Sequence, residues 1–262
     1  MAVATADPDL ILLGSGGWIP TSRRETCCAY LREGDSVLLI DAGTGVQRLV
    51  EQPGLLEGVK RLDLVLTHFH LDHVVGLSYL PALPLRPTIW GGGQSLSGTP
   101  TTAILDRLLD HPLFAARADT LAEAIHEVPA EDFEAGPFAI STRIQRRHTD
   151  PTLAVRVGDL LTYCTDTAAD EGNVGFAEGS SLLLHEAFYA AASSEDETHT
   201  AAGEAGRIAR EADVTSLVLI HVNPLERSEG ELSRFARAEF ANASVGEDLL
   251  PVEISRLGRD RR

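Results

Sequence analysis

Lysine is almost absent from this chain. Lys60 is the only one in 262 residues, arginine supplies every other base, and 22 basic groups face 39 acidic ones for a formal charge of −17. A surface of that sign repels polyanions at long range and lacks the basic face that an extended nucleic-acid footprint needs. Any phosphate must therefore be met by a local patch. Cysteine is scarce too. Cys27, Cys28 and Cys164 are odd in number and form no CxxC spacing, which suggests neither a disulfide framework nor a cysteine zinc site and reads as three small apolar fillers. No stretch reaches the roughly 18–20 consecutive apolar residues of a membrane span. The opening MAVATADPDLILLG lacks the basic segment of a secretory signal. These absences predict a soluble, cytoplasmic protein with no membrane partner.

No linker of low complexity interrupts the chain, and its length suits one large domain. We read residues 1–262 as a single domain of two similar halves, roughly 1–137 and 138–262. Apolar, β-branched runs alternate with helical patterns, the mark of an α/β protein. Strands are expected at Leu10–Leu13, Thr26–Leu31, Val37–Asp41, Leu62–Thr67 and Thr88–Trp90, then at Phe138–Gln145, Ala154–Val157, Leu160–Cys164, Ser181–Glu186 and Leu217–His221. Helices are expected near Gly45–Glu51, Val74–Leu80, Thr101–Leu109, Ala201–Glu211 and Gly230–Phe240. The glycine-rich LLGSGGWIP (Leu12–Pro20) has neither the GxGxxG order nor a Walker lysine, so it reads as a structural turn.

One stretch carries chemistry. THFHLDHVVGL, Thr67 to Leu77, sets His68, His70, Asp72 and His73 in a loop at the end of an expected buried strand. Period-two alternation sends His68 and His70 to one side, and the following turn swings Asp72 and His73 alongside. Three imidazoles and a carboxylate packed together without a cation would leave costly unpaired groups. Mixed nitrogen and oxygen donors suit zinc, manganese or iron rather than calcium or magnesium. Four donors crowd one ion, so two divalent ions completed by distant residues are expected. His148, His185, His199, His221 and Asp166 all end apolar runs and are available for that, since α/β sites form at strand ends. Asp41 in LLIDAGTG is placed to orient the metal histidines by hydrogen bonding.

With these motifs together, the chain resembles the metallo-β-lactamase-fold hydrolases, and within them the ribonuclease Z-like branch of tRNA 3′-processing endonucleases and phosphodiesterases. LGSGGWIPTSRR, LLIDAGTGVQ, the HxHxDH loop, RRHTDP, TYCTDT, LLLHEAF, THTAAGEAGRIAREADV and LVLIHVNP carry the likeness. The resemblance implies a four-layered αββα sandwich. It implies one metal on His68, His70 and His148, a second on Asp72, His73 and His221, and Asp166 bridging them. It also implies that His199 assists the leaving group with Glu186 beside it, so that Asp72, Glu186 and His199 act in catalysis. His185 reads as a core histidine, and His111 and His126 as surface residues. Thr200 is a candidate helix N-cap.

Two departures from that branch bear on substrate. The tRNA-processing enzymes carry a long arm between the positions of His148 and Asp166, where this chain has only TDPTLAVRVGDLLTYCT. The last motif reads His221-Val-Asn-Pro-Leu-Glu in place of the usual serine, proline and arginine. With the arm gone and the charge strongly negative, a small or cyclic nucleotide phosphodiester or a short RNA end is the expected substrate, attacked by a hydroxide between the metals. A tRNA 3′ endonuclease is the alternative, as is a sulfatase- or lactonase-type ester hydrolase, because the same donors serve either. Arg23, Arg24, Arg143, Arg146 and Arg147 are candidates for a phosphate patch. A homodimer is compatible with the branch.

Overall fold

The structure, a computed structural model, describes residues 9–191, 198–225 and 229–254. Two seven-stranded sheets face each other. The first runs in the order β14-β1-β2-β3-β4-β5-β6, with β1 Asp9–Gly14, β2 Cys28–Glu33, β3 Ser36–Ile40, β4 Arg61–Leu66, β5 Thr88–Gly91, β6 Ala124–Glu127 and β14 Pro251–Val252. The second runs β13-β12-β11-β10-β9-β8-β7, from β7 Phe133–Ala135, β8 Phe138–Gln145, β9 Thr152–Val157 and β10 Leu161–Cys164 to β11 Leu182–Glu186, β12 Ser216–Ile220 and β13 Ala243–Val245. In each sheet three successive antiparallel pairs give way to three parallel ones. The halves are therefore alike in topology, and β3 and β4 correspond to β10 and β11.

Three apolar clusters build the four layers. Leu10, Leu12, Leu38, Ile40 and Val65 of the first sheet meet Ile140, Val155, Tyr163, Leu182, Leu184 and Ile220 of the second. Val37, Leu39, Leu64 and Leu66 turn to the outer face of the first sheet, and Leu183, Leu217 and Leu219 to the outer face of the second. Continuous runs such as SVLLI and LLLHE thus bury both faces, as strands covered on two sides must. Helices cover the outside. They are α1 Gln47–Glu51, α2 Leu71–Val74, α3 Gly93–Ser97, α4 Thr101–Leu108 and α5 Ala118–Leu121 in the first half, and α6 Gly172–Ala177, α7 Ala202–Glu211 and α8 Glu229–Glu239 in the second. No helix among the described residues is long and apolar enough to cross a membrane.

The expected division at 137/138 falls inside a hairpin. β7 pairs with β8, so the second sheet begins at Phe133, while β14 returns to pair with β1. β6, β7, β13 and β14 are two to four residues long, too short for alternation to mark them. A second difference touches the metal motif. Asp72 and His73 lie in the helical turn α2, with His70 as its extended N-cap residue, and the segment continues as a 3-10 helix through Ala82. That turn explains how residues 70, 72 and 73 reach one place. The third concerns α7: its N-cap is Ala201, whose N–H is answered by the Glu204 carboxylate at 3.2 Å. The Thr200 hydroxyl instead donates to the Thr167 carbonyl at 2.7 Å.

Candidate metal centre

The ends of β4, β8, β10, β11 and β12 meet at one edge of the sandwich. There, donor atoms of His68, His70, His148 and Asp166 all lie within 4.8 Å of one another, and so do those of Asp166, His199 and His221. The Asp166 carboxylate is divided between two sets. Oδ1 is 3.9 Å from His68 Nε2 and 3.5 Å from His148 Nε2, and His148 Nε2 is 3.3 Å from His70 Nδ1. Oδ2 is 3.0 Å from His73 Nε2 and 3.3 Å from His221 Nε2. Asp72 Oδ2 completes that second set, 3.5 Å from His73 Nε2 and 3.4 Å from His221 Nε2.

These distances suit donors that surround a cation better than donors that bond to each other. His68 Nε2 is buried with no hydrogen-bond partner among the described residues, and His73 Nε2 faces the Asp166 and Asp72 carboxylates without hydrogen-bond geometry to either, a costly state unless something else occupies the space between them. Both rings are held from behind. His73 Nδ1 is 2.8 Å from Asp41 Oδ2, and His68 Nδ1 is 3.1 Å from the Thr67 hydroxyl. Asp41 is fully buried and also accepts from the Thr67 N–H at 2.8 Å, the Thr67 hydroxyl at 2.9 Å and the Tyr163 hydroxyl at 3.3 Å. Fixing Nδ1 in this way aims Nε2 at a metal. His70 presents Nδ1 to the site and is held by Asp150, whose Oδ2 is 3.0 Å from Nε2. The donor set of imidazoles and carboxylates fits two divalent ions of the zinc, manganese or iron type.

Electrostatics point the same way. Burial, joined by the neighbouring His73 and His70, pushes the His68 pKa well below its usual value against the pull of Asp166 and Asp72. Burial opposes charge on His73, Asp72 and Asp166 as well, yet attraction wins. Asp166, Asp72 and Asp41 hold His73 well above the usual histidine range. His73 and His221 hold Asp72, and His221, His73 and His68 hold Asp166, well below the carboxylate range. Buried carboxylates kept anionic in this way are available to bind positive charge.

Beside the donors, Glu186 ends β11 fully buried and accepts a hydrogen bond from the Thr167 N–H. Burial drives its carboxyl well above the usual range. Its Oε2 is 2.8 Å from His199 Nδ1, so one proton is shared across that contact. The His199 ring stacks on Phe188 at 4.2 Å and 16°. His199 precedes α7 and faces the site; the acidic residues 195–197 before it lie outside the described residues.

Backbone conformation marks the same place. Six non-glycine residues among the described residues have a left-handed φ, and four belong to this edge: Trp18 (64°), Asp41 (65°), Asp166 (49°) and His221 (52°). Each costs on the order of 1–3 kcal/mol and persists only where its surroundings impose it. Gly17 is needed for another reason. A Cβ there would sit 2.5 Å from the His221 ring, so the glycine-rich turn is what lets the chain cross that histidine. The loop then continues to Trp18, whose N–H donates to Asp72 Oδ2 at 2.7 Å.

Some sequence candidates lie elsewhere. Arg24 is buried, bonding the Ser15 hydroxyl and the Gly246 carbonyl and pairing with Glu229 at 3.1 Å. Arg143 is turned to Asp170 and Asn173, and Arg147 donates to the Ala169 carbonyl at 2.8 Å. Arg23 and Arg146 remain exposed. His185 faces away, buried on the helix side of β11. His126 is on β6, its ring 4.6 Å from Trp90. Cys27 lies under the site, but burial pushes its thiol up and Sγ donates to the Gly16 carbonyl, the behaviour of a filler. Asp150, Tyr163, Thr67 and Trp18 were missed in the sequence, where the partners of Asp150, Tyr163 and Trp18 lie far along the chain and Thr67 is masked by the histidines beside it.

The Beta-lactamase superfamily domain model matches residues 37–222. The chain belongs to that superfamily. Among its relatives, the ribonuclease Z of Salinibacter ruber is 26% identical over 94% of each chain, and the probable metallo-hydrolase YhfI of Bacillus subtilis is 29% identical over 80% of this chain and 85% of its own. The crystal structure of YhfI superposes with a TM-score of 0.78 at 22% identity, covering 94% of this chain and 99% of that one. A diphosphatase of the PhnP family gives 0.72 at 18% identity, over 95% and 98%. The superfamily member is thus a ribonuclease Z-like hydrolytic enzyme with the two-sheet fold of the metallo-β-lactamases.

Proposed function

We propose that this hydrolase is a dinuclear phosphodiesterase acting on small or cyclic nucleotide esters or short RNA ends. The observation that carries the reading is the divided Asp166 carboxylate, with three further donors on each side of it. His68, His70 and His148 would hold one ion, Asp72, His73 and His221 the other, with zinc first among the candidates and manganese or iron sharing the donors. When bound, such a pair supplies charge neutralisation at phosphoryl oxygens and acidifies water at neutral pH.

The chain's own residues do the rest. Asp41 and Thr67 keep His73 and His68 in the tautomer that presents Nε2, and Asp150 steadies His70. His199, held by Glu186, carries the proton that the leaving oxygen needs. The ribonuclease and diphosphatase named among the similar proteins support a phosphorus centre. A tRNA 3′ endonuclease is the second reading, favoured by the ribonuclease Z relatives. Weighing against it, the chain between His148 and Asp166 is a plain hairpin of β9 and β10, and the net charge is −17.

The test is turnover by purified protein with and without Zn²⁺ or Mn²⁺. The panel holds bis(p-nitrophenyl) phosphate, cyclic nucleotides, a precursor tRNA, an aryl sulfate and a lactone. Metal-dependent cleavage of the small phosphodiesters is expected. Faster turnover of the lactone or sulfate than of any phosphodiester would reassign the substrate.

A further inference from the structure

Seven large apolar side chains are exposed among the described residues, and four of them belong to the loops and the α2 turn around the candidate metal centre: Trp18 (57%), Ile19 (44%), Leu71 (61%) and Leu225 (66%). Leu71 lies between the donors His70 and Asp72. Leu225 follows His221 in a loop that is tied to the turn of Trp18, since Gly17 N–H donates to the Val222 carbonyl and Val222 N–H to the Ser15 carbonyl, both at 3.1 Å. Trp18 is fixed from two sides. Its N–H is bonded to Asp72, and Gly17 before it packs on the His221 ring. Its left-handed φ of 64° is one that bulky residues avoid, so the surroundings hold the backbone that carries this exposed indole beside two donors. An exposed tryptophan held under strain at the mouth of a site is a binding feature rather than a packing one.

Charge leaves a part for it to play. Arg24 and Arg143 are spent inside the fold and the whole chain is acidic, so of the candidate patch only the exposed Arg23 and Arg146 are left for phosphate neutralisation by side chains. Aromatic stacking tolerates either sign of field and supplies substantial affinity per ring.

We propose that the indole of Trp18 is the platform for a planar aromatic ring on the substrate, with Leu71 and Leu225 bordering it. The ester preferred by the site then carries a nucleobase or aryl group next to its phosphate, and sugar phosphates or alkyl esters without a ring are poor ligands. This rests on the phosphodiesterase reading above and narrows it.

The experiment compares adenosine 5′-monophosphate with ribose 5-phosphate, which share sugar and phosphate and differ in the ring. Both are titrated calorimetrically into zinc-loaded protein, and the full chain is run in parallel by light scattering. The nucleotide should bind about ten-fold tighter or better, the order expected for one stacked ring. Trp18→Ala should bring the ratio of the two affinities close to one, and Trp18→Phe should restore most of it. Equal binding of the two ligands by the unaltered protein overturns the proposal, and so does a ratio that survives Trp18→Ala. A dimer that falls apart in Trp18→Ala overturns it as well, assigning the rim to a second copy of the chain. Phosphodiester turnover without ring preference sinks the platform alone, whereas no phosphate binding and no turnover sink the phosphodiesterase reading with it.

Discussion

Acid should destabilise this protein through a histidine that takes no part in the site. His185 lies on β11 between Cys164 and Leu219 of the neighbouring strands, fully buried. Its Nδ1–H donates to the Glu186 carbonyl at 2.9 Å, and its Nε2 has no partner among the described residues. A second proton would place a charge where burial outweighs the attraction of the Glu186 carbonyl and Asp170, and the pKa is lowered from 6.5 to about 4. In the unfolded chain the same ring titrates near 6.5, so between those values the unfolded state binds more protons. Stability therefore falls as pH drops from about 6.5 toward about 4. At 1.36 kcal/mol per pH unit the shift amounts to roughly 3 kcal/mol, a large part of a typical domain's 5–15 kcal/mol. The comparison is urea unfolding followed by circular dichroism, from about pH 7.5 to 4.5, for the natural chain and His185→Leu in the presence of a chelator. Carboxylates and the site histidines titrate in both proteins and cancel in the difference. The variant should lose roughly 2–3 kcal/mol less than the natural chain over that range. Parallel losses in the two proteins would refute the assignment of the orphaned ring as the acid-sensitive group.

Three further outcomes follow from the site. His199→Ala should slow turnover by about 10²–10⁴-fold while metal analysis finds the ions retained; a variant stripped of metal would make His199 a ligand instead. Asp41→Asn should weaken metal binding by about 10–100-fold, read by competition with a chromogenic chelator, because it disturbs the groups behind His73 and Thr67; unaltered affinity would mean that those rings are held by packing. Gly17→Ala should cost about 1–3 kcal/mol in thermal unfolding and displace His221, since the added methyl meets the ring at 2.5 Å.

Much of the fold was legible because long apolar runs such as Leu62–Thr67 and Ser181–Glu186 end abruptly in polar residues. The strands that escaped, β6, β7, β13 and β14, are short edge elements whose pairing is decided by the sheet and not by their own pattern. In the site, the six-residue motif His68–His73 announces itself by density. His148, Asp166 and His221 are ordinary residues at strand ends, gathered by topology, and the resemblance to a family picked them out. The residues behind them were less visible. Asp41 could be anticipated from its place after a strand, but Asp150 and Tyr163 act through partners about eighty and more than a hundred residues away, a separation on which local pattern is silent. Arg24 and Arg143 show the converse, since clustering in sequence suggested a surface patch where the fold uses both as internal anchors.

Asp72 and Asp166 stand only a few ångströms apart around His73 and His221, yet they are carried by different sheets. Between those sheets lies the apolar layer where Leu38 and Ile40 meet Tyr163 and Leu184, and its thickness bears on that gap together with the backbone bond from Leu153 N–H to the Thr67 carbonyl at 2.9 Å. That layer works as a spacer gauge for the donors. Trimming a side chain deep within it, far from any reacting atom, would alter the separation of the two halves of the centre, and an enzyme of this design tunes its chemistry from the interior of the sandwich as much as from its rim.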